Sequence, residues 1–250
     1  MYSQMTGGIV TYNNADIIQA CIKSILEHTT SEFKLYIYDN CSTDETVKII
    51  RNNFPQVCII EGKENRGFGC GHNEIIRAVD SKYHAIINPD IFLKDNVMDQ
   101  MAAYMDEHPD VVQISPQIRN MDGSVQYLPK LDPNFKFVIL SKLKPFAHYR
   151  KLYTREDEDI TEPVEVMSNT GCFSMIRTDM LKKVHGYDPR FFMYFEDADL
   201  SRRLRKLGKL IYHPKMWVCH AWKRENTRNW RGIRIFLTSM WKYHSKWRAS

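Results

Sequence analysis

No two of the six cysteines, at positions 21, 41, 58, 70, 172 and 219, are spaced C-x-x-C, which removes the common signature of a structural zinc site. Cys21, Cys58, Cys172 and Cys219 sit in apolar runs and read as small core residues. No uncharged apolar run approaches the roughly 18 residues of a membrane span, and no signal peptide opens the chain. With its thiols reduced, the protein is expected in the cytosol. No internal repeat or low-complexity tract is visible. Neither charge dominates: 35 Lys and Arg stand against 30 Asp and Glu, a formal charge of +5, which gives no ground for a nucleic-acid partner.

What is present is ordinary globular composition, 43% apolar and 26% charged over 250 residues, enough for one large domain or two small ones. Short apolar runs alternate with amphipathic stretches. Strands are expected at Gly8 to Tyr12, Leu35 to Tyr38, Val57 to Ile60, His84 to Asn88 and Val111 to Ser115. Helices are expected through Ile18 to Leu26, after a Ser42-Thr43-Asp44-Glu45 capping box, around Ile75-Ile76, and from Val97 to Met105. Such alternation predicts an α/β fold with parallel strands, helices on both faces, and ligands at the carboxyl ends of the strands. Between Pro116 and Pro163 the pattern loosens into an insertion with an acidic, solvated loop at residues 154–159. Order resumes with a strand at Cys172 to Arg177, a helix at Thr178 to Val184, an acidic helix opened by Glu196 and Asp197, and a strand from Lys209 to Tyr212.

Polar residues gather where these strands end. Thr11-Tyr12-Asn13-Asn14 follows the first strand and Asp39-Asn40 the second. Asp39 could accept a hydrogen bond from a pyrimidine imide or a ribose hydroxyl; turn chemistry would favour the same residues. The segment from Asn65-Arg66-Gly67 to Asn73 could hold phosphates on its backbone N–H groups at a helix start. Its G-x-G-x-G spacing after the third strand is not a dinucleotide fingerprint. Asp90, in Asn88-Pro89-Asp90, suits a divalent cation bound to phosphate. Glu196 and Asp197 suit a base near a reacting hydroxyl, and also serve as helix-start acids. Asp199 reads as a structural helix-start acid, and Arg202, Arg203 and Arg205 as a solvated face with i,i+4 partners. His220 would matter only if its strand returned it to the cation. The tail from Arg224 to Trp247 interleaves aromatic with basic residues, one acid (Glu225) against eight bases after His220; it suits a membrane surface, single-stranded nucleic acid, or a helix packed on the core.

Taken together, Ile9-Val10-Thr11-Tyr12-Asn13, Tyr38-Asp39-Asn40-Cys41-Ser42, Asn65 to Gly69, Asn88-Pro89-Asp90, Gly171-Cys172-Phe173 and Phe191 to Leu200 make the chain resemble family 2 glycosyltransferases. Within them it is similar to the rhamnosyltransferase-like group that builds bacterial cell-surface polysaccharides. The resemblance implies a GT-A, Rossmann-like fold over residues 1–222, a nucleotide-binding half to about 115, an acceptor half to 222, and a basic aromatic helix over 223–250. It implies inverting transfer from a nucleotide-sugar, dTDP-rhamnose first, UDP-sugars second, to a lipid-linked or polysaccharide acceptor. Thr11, Tyr12, Asn13, Asp39, Asn40, Arg66, Gly67 and Asn88 would then bind the donor. Asp90 and His220 would hold Mg2+ or Mn2+, Asp197 would be the catalytic base, and Gly171 and Glu196 would lie on the acceptor side. Asn88 stands where many relatives carry Asp, leaving one carboxylate fewer for the cation. Peripheral attachment to the inner face of a membrane follows as an expectation from the tail.

Overall fold

A computed structural model of the protein describes residues 3–127, 131–133, 147–221 and 230–248. The expected residues 222–229 at the head of the basic tail lie outside them. The chain runs β1 (Ser3–Thr11), α1 (Ile18–Glu27), β2 (Phe33–Asp39), α2 (Thr46–Asn53), β3 (Cys58–Glu61), α3 (Phe68–Ala78) and β4 (Ser81–Ile87). It continues with β5 (Ile91–Phe92), α4 (Val97–Glu107), β6 (Val111–Arg119), β7 (Val125–Gln126), α5 (Ala147–Thr154) and β8 (Val164–Glu165). The last elements are β9 (Phe173–Arg177), α6 (Thr178–Lys183), α7 (Glu196–Leu204), β10 (Lys209–His220) and α8 (Trp230–Lys246).

One ten-stranded sheet organises the molecule, in the order β3-β2-β1-β4-β9-β6-β10-β5, with β7 paired to β6 and β8 to β10 off this path. The first four strands are parallel, as the alternation requires. The parallel run does not continue to β6, however. β9 lies between β4 and β6, antiparallel to both, and β6 extends through residue 119, across the expected 115/116 division. The chain steps outward from β1 to β3, then returns to place β4 on the other side of β1. The crevice at the carboxyl ends of β1 and β4 is therefore the switch point where such sheets bind ligands.

Buried residues follow the periodicities that define these elements. Ile18, Cys21, Ile22 and Ile25 form the buried stripe of α1, and Ala85, Ile86 and Ile87 are wholly enclosed in the middle of the sheet. Cys58 departs from the core expectation: it is half-buried on an outer strand, while Cys70 is buried instead. The capping box at α2 does not form. The Ser42 hydroxyl accepts the Asn13 N–H at 2.9 Å, and α2 starts at Thr46 without a side-chain cap. Asp44 instead accepts N–H groups from Ala15 and Thr46.

Two buried histidines lie beneath the carboxyl edge. A Cβ at Gly8 would stand 2.9 Å from Nε2 of His84, so the absent side chain makes room for the ring, whose Nδ1 pairs with the Thr6 hydroxyl at 2.8 Å. Burial, with the Lys182 charge, pushes the His84 imidazole down to about 3. Burial and its neighbour His84 hold His72 well below the usual histidine range. Both are neutral when folded, whereas the unfolded chain protonates them near pH 6.5. Their contribution is thus full above pH 6.5 and declines as pH falls from there toward about 3. The unfolding free energy from urea denaturation is expected to fall between pH 7 and pH 5, by about 2 kcal/mol for His84 alone, and His84→Gln should flatten this acid limb.

Candidate active site

The first cluster of polar residues lies at the ends of β1 and β2, whose last residues, Thr11 and Asp39, are parallel neighbours. Asp39 is buried. Its Oδ2 accepts the Ser42 N–H at 2.9 Å, while its Oδ1 has no hydrogen-bond partner among the described residues. A buried carboxylate oxygen left unpaired is costly, so this atom is a ready acceptor for a ligand N–H or O–H. Thr11 donates its hydroxyl to Asn14 Oδ1 at 2.9 Å. Asn13, left-handed at φ 53°, accepts the Thr43 N–H on its Oδ1. These two shape the turn, and the Tyr12 ring beside them is half-exposed.

The glycine-rich segment is bound differently from the expected phosphate cradle. Arg66 N–H donates to Asn40 Oδ1 at 3.0 Å, Gly67 N–H to Asn65 Oδ1 at 3.0 Å, and Phe68 N–H to the Phe192 carbonyl at 3.1 Å. Three consecutive donors are therefore engaged within the protein. Asn40, through its Nδ2 to the Gly67 carbonyl as well, clamps the loop rather than facing solvent. Gly67 has φ +87°, and a Cβ there would strike the Phe192 carbonyl oxygen at 2.1 Å. Its role is to let two backbones meet. Among the loop's groups, the half-exposed Arg66 guanidinium, 3.5 Å from Glu74, is open to an anion.

Asp90 and His220 meet at the far side of the crevice. β10 pairs with β5 so that His220 lies opposite Ile91, and the Ala221 N–H donates to the Asp90 carbonyl at 2.9 Å. Nε2 of His220 stands 3.2 Å from Oδ1 of Asp90, and His220 is only 6% exposed. The strand thus does return the histidine to the acid. Two cis ligands about 2.1 Å from an octahedral ion would be about 3 Å apart, so the pair fits a divalent cation that completes its sphere with phosphate oxygens and water. No group of three or more His, Cys, Asp or Glu able to hold a metal occurs among the described residues. Gln126, a residue that sequence reasoning missed, brackets His220: its Oε1 lies 3.1 Å from Nδ1, and its Nε2 donates to the His220 carbonyl at 3.2 Å. Such a contact fixes ring orientation and tautomer. Beneath the site, burial and the Asp90 charge push the Cys21 thiol far up, keeping it an inert core group.

From Asp90 a chain of contacts leads to Asp197. The Asn88 N–H donates to the Cys172 carbonyl at 2.8 Å, and the next residue, Gly171, donates its N–H to Asp197 Oδ2 at 3.3 Å. A Cβ at Gly171 would sit 3.4 Å from Asp197 Cβ and 3.5 Å from the Phe68 ring. Asn169 adds a second tie: its N–H donates to the Ser201 hydroxyl, and its Oδ1 accepts from the Ser115 hydroxyl. Tyr194 and Phe195, immediately before α7, are both left-handed at φ 69° and 67°. Non-glycine residues held there cost about 1–3 kcal/mol each, and here they deliver Glu196 and Asp197 to the helix start. Asp197 is half-buried, and its Oδ1 accepts the Ala198 N–H at 2.8 Å. Glu196 is buried. Burial, then Glu196 and Asp197, pushes the Tyr187 phenol well up. Burial, then Asp197, does the same to Tyr153, a residue of the loosely patterned insertion.

The arginines of α7 are not a solvated face. Arg203 pairs with fully buried Asp199 at 2.9 Å and donates to the Val184 and Gly186 carbonyls. Arg205 pairs with Asp132 at 2.9 Å, and Arg202 lies 4.5 Å over the Trp247 ring. Asp199 also receives Lys246 Nζ at 2.5 Å and Trp247 Nε1 at 2.9 Å. It is structural, as expected, and it fastens the end of α8 to the segment that carries Asp197.

Comparison with known proteins agrees with this architecture. A family model described as glycosyl transferase family 2 matches residues 8–185. N-acetylglucosaminyl-diphospho-decaprenol L-rhamnosyltransferase of Mycobacterium tuberculosis is 27% identical over 228 residues, covering 84% of this chain and 74% of that protein. Rhamnosyltransferase WbbL of Escherichia coli is 24% identical over 253 residues, covering 95% and 88%. Among solved structures, mannosyltransferase PcManGT from Pyrobaculum calidifontis, in complex with GDP-Man and Mn2+, matches with TM-score 0.65 at 16% identity over 92% of this chain. GalNAc-T7, with UDP, GalNAc and Mn2+, matches with TM-score 0.72 at 15% identity over 98%. The chain spans 60% and 48% of those two solved chains. These likenesses bear on the fold, which is GT-A.

Proposed function

The chain belongs to glycosyl transferase family 2, and from that premise we propose that it moves rhamnose from dTDP-rhamnose to a hydroxyl of a lipid-linked or growing polysaccharide acceptor, with inversion at the anomeric carbon. Two relatives that cover most of the chain bear the name rhamnosyltransferase. The observation that carries the reading is the Asp90–His220 pair at the switch point, tied through Asn88, Cys172 and Gly171 to Asp197. In the proposed division, residues 1–115 bind the donor, residues 116–222 face the acceptor, and 223–250 attach the enzyme to the inner face of a membrane.

In this reading Asp39 accepts the base imide, with Thr11, Asn13 and Asn40 holding the turn and loop around the nucleoside. Tyr12 lies against the base and Arg66 against a phosphate. Asp90 and His220, with Asn88 beside them, would hold Mg2+ or Mn2+, which supplies neutralisation of the charge on the departing diphosphate. Asp197 takes the acceptor hydroxyl's proton as its oxygen bonds to the anomeric carbon. The bond from that carbon to the diphosphate oxygen breaks in the same step, and the leaving group keeps the electron pair. Gly171 and Glu196 bound the acceptor side.

The unpaired Asp39 Oδ1 would serve the imide of uracil equally well, which favours transfer from a UDP-sugar as the second reading. The two are separated by mass-spectrometric detection of product from dTDP-rhamnose, UDP-galactofuranose, UDP-N-acetylglucosamine and UDP-glucose with a lipid-linked glycan. Product from dTDP-rhamnose alone supports the first; product from a UDP-sugar alone replaces it with the second.

A further inference from the structure

Helix α8 has two apolar faces, and only one is used by the fold. On the inner face Gly232, Ser239, Met240 and Tyr243 are buried. The Ser239 hydroxyl donates to the Met193 carbonyl at 2.8 Å, and Phe236 packs 5.6 Å from Tyr194 and 5.4 Å from Phe195. On the outer face Trp230, Ile233, Leu237 and Trp241 are 87%, 39%, 51% and 69% exposed. At 3.6 residues per turn these four fall within a wedge of about 80°. Single exposed apolar residues are ordinary, but a continuous stripe with two tryptophans marks an interaction surface.

Beside that stripe runs a cationic one: Arg231, Arg234 and Lys242. With Phe192, Ile235 and Thr238 they line a groove of about 380 Å³. Lys242 is held at its edge by donating to the Arg190 carbonyl at 2.5 Å. Arg231 and Arg234 have no acidic partner among the described residues, and α8 contains neither Asp nor Glu. The groove is also close to the chemistry. The Phe192 carbonyl accepts the Phe68 N–H, and the Phe68 ring would touch a Cβ at Gly171, whose N–H rests on Asp197.

We propose that the outer face of α8 binds a phosphate-bearing lipid: Arg231, Arg234 and Lys242 take the phosphate, and Trp230, Ile233, Leu237 and Trp241 lie in the boundary between headgroups and acyl chains. This rests on the glycosyltransferase reading and names the surface that presents its acceptor. Charge complementarity selects the occupant. A second copy of this face would set cations against cations, and a soluble anion would leave the apolar stripe uncovered. An anionic lipid surface satisfies both stripes at once.

The test is flotation of the full chain with vesicles of phosphatidylcholine alone, with added phosphatidylglycerol, or with added polyprenyl phosphate. The protein is expected to float with both anionic mixtures, not with phosphatidylcholine alone, and less as salt rises. Each basic residue near the surface contributes about a fivefold factor, so Arg231→Ala with Arg234→Ala should lower partitioning about 25-fold. Trp230→Ser with Trp241→Ser should weaken it comparably, and both pairs should retain nucleotide affinity. Preference for polyprenyl phosphate at equal surface charge, with competition by inorganic pyrophosphate, identifies the acceptor's phosphate as the source. Equal binding of the two mixtures identifies bulk headgroups, and either result supports the proposal. Flotation indifferent to lipid charge, or undiminished in both double variants, overturns it, as does a dimer dissolved by the tryptophan changes without any lipid binding. Transfer to a soluble glycan without vesicle binding sinks this inference alone. Vesicle binding without nucleotide-sugar binding sinks the glycosyltransferase reading alone.

Discussion

Asp197→Asn is expected to lower the turnover of sugar transfer by about 10²–10⁴-fold, the usual contribution of a positioned general base, with donor binding and folding close to wild type. The substitution keeps the shape of the side chain. An amide oxygen can still accept the Ala198 N–H that Oδ1 accepts now, so the start of α7 keeps its local bonding. What is lost is an oxygen able to carry the acceptor's proton. The Gly171 contact is long, 3.3 Å, and its loss is a small structural change. Steady-state kinetics with saturating donor and acceptor read the effect on turnover, and calorimetric titration of the nucleotide checks that the donor site is intact. A variant that keeps near-wild-type turnover would remove Asp197 from the proposed role. One that loses nucleotide binding as well would show that the residue positions the loop between α6 and α7 rather than the proton.

Asp199→Ala is expected to be the most destabilising single change in the acidic helix. Its side chain is fully buried and answers three groups: Arg203, Lys246 and the Trp247 indole. Removing one partner of a buried ion pair leaves uncompensated charge and costs about 3–5 kcal/mol. In a chain of this size that corresponds to a fall in melting temperature of about 6–20 °C. Lys246 retains Asp188, whose carboxyl burial tends to raise, but which hydrogen bonds from Arg190 and Lys246 hold far below the usual carboxylate range. Arg203 retains only carbonyl oxygens. The loss should therefore fall mainly on the Asp199–Arg203 contact. A double-mutant cycle with Arg203→Met in urea denaturation should return a coupling above about 1 kcal/mol. Additive effects would show that the two residues act independently, and the cost would then lie with the Lys246 and Trp247 contacts that join α7 to α8.

The parallel half of the fold was legible in the sequence because hydrophobic periodicity reports burial: the end of β4, His84 to Ile87, reads as one run since all four residues are buried. The acids at strand ends were legible for the same reason, each following the last residue that the core can use. The antiparallel insertion of β9 was not. A five-residue strand reads the same whichever neighbours it pairs with, and only the chain's return between β4 and β6 sets its direction. The capping box failed because a local rule competes with partners distant in sequence: Ser42 answers Asn13, 29 residues away. Arg203 keeps its i,i+4 partner Asp199, but the distant carbonyls of Val184 and Gly186 turn it inward. Gln126 was hidden because its strand is two residues long and its partner, His220, lies 94 positions downstream. In the glycine-rich loop, polar composition was visible but its use was not. The N–H groups of Arg66, Gly67 and Phe68 are occupied by Asn40, Asn65 and Phe192.

In the proposed function Asp90, with His220 facing it at 3.2 Å, holds a cation on which donor binding depends. Calorimetric titration of dTDP and UDP, each with manganese and with chelator, into wild type and Asp90→Ala tests it most directly. The expected result is manganese-dependent binding that favours dTDP and is weakened at least tenfold in Asp90→Ala. Equal affinity in the two proteins with manganese present, or binding indifferent to the chelator, would contradict it.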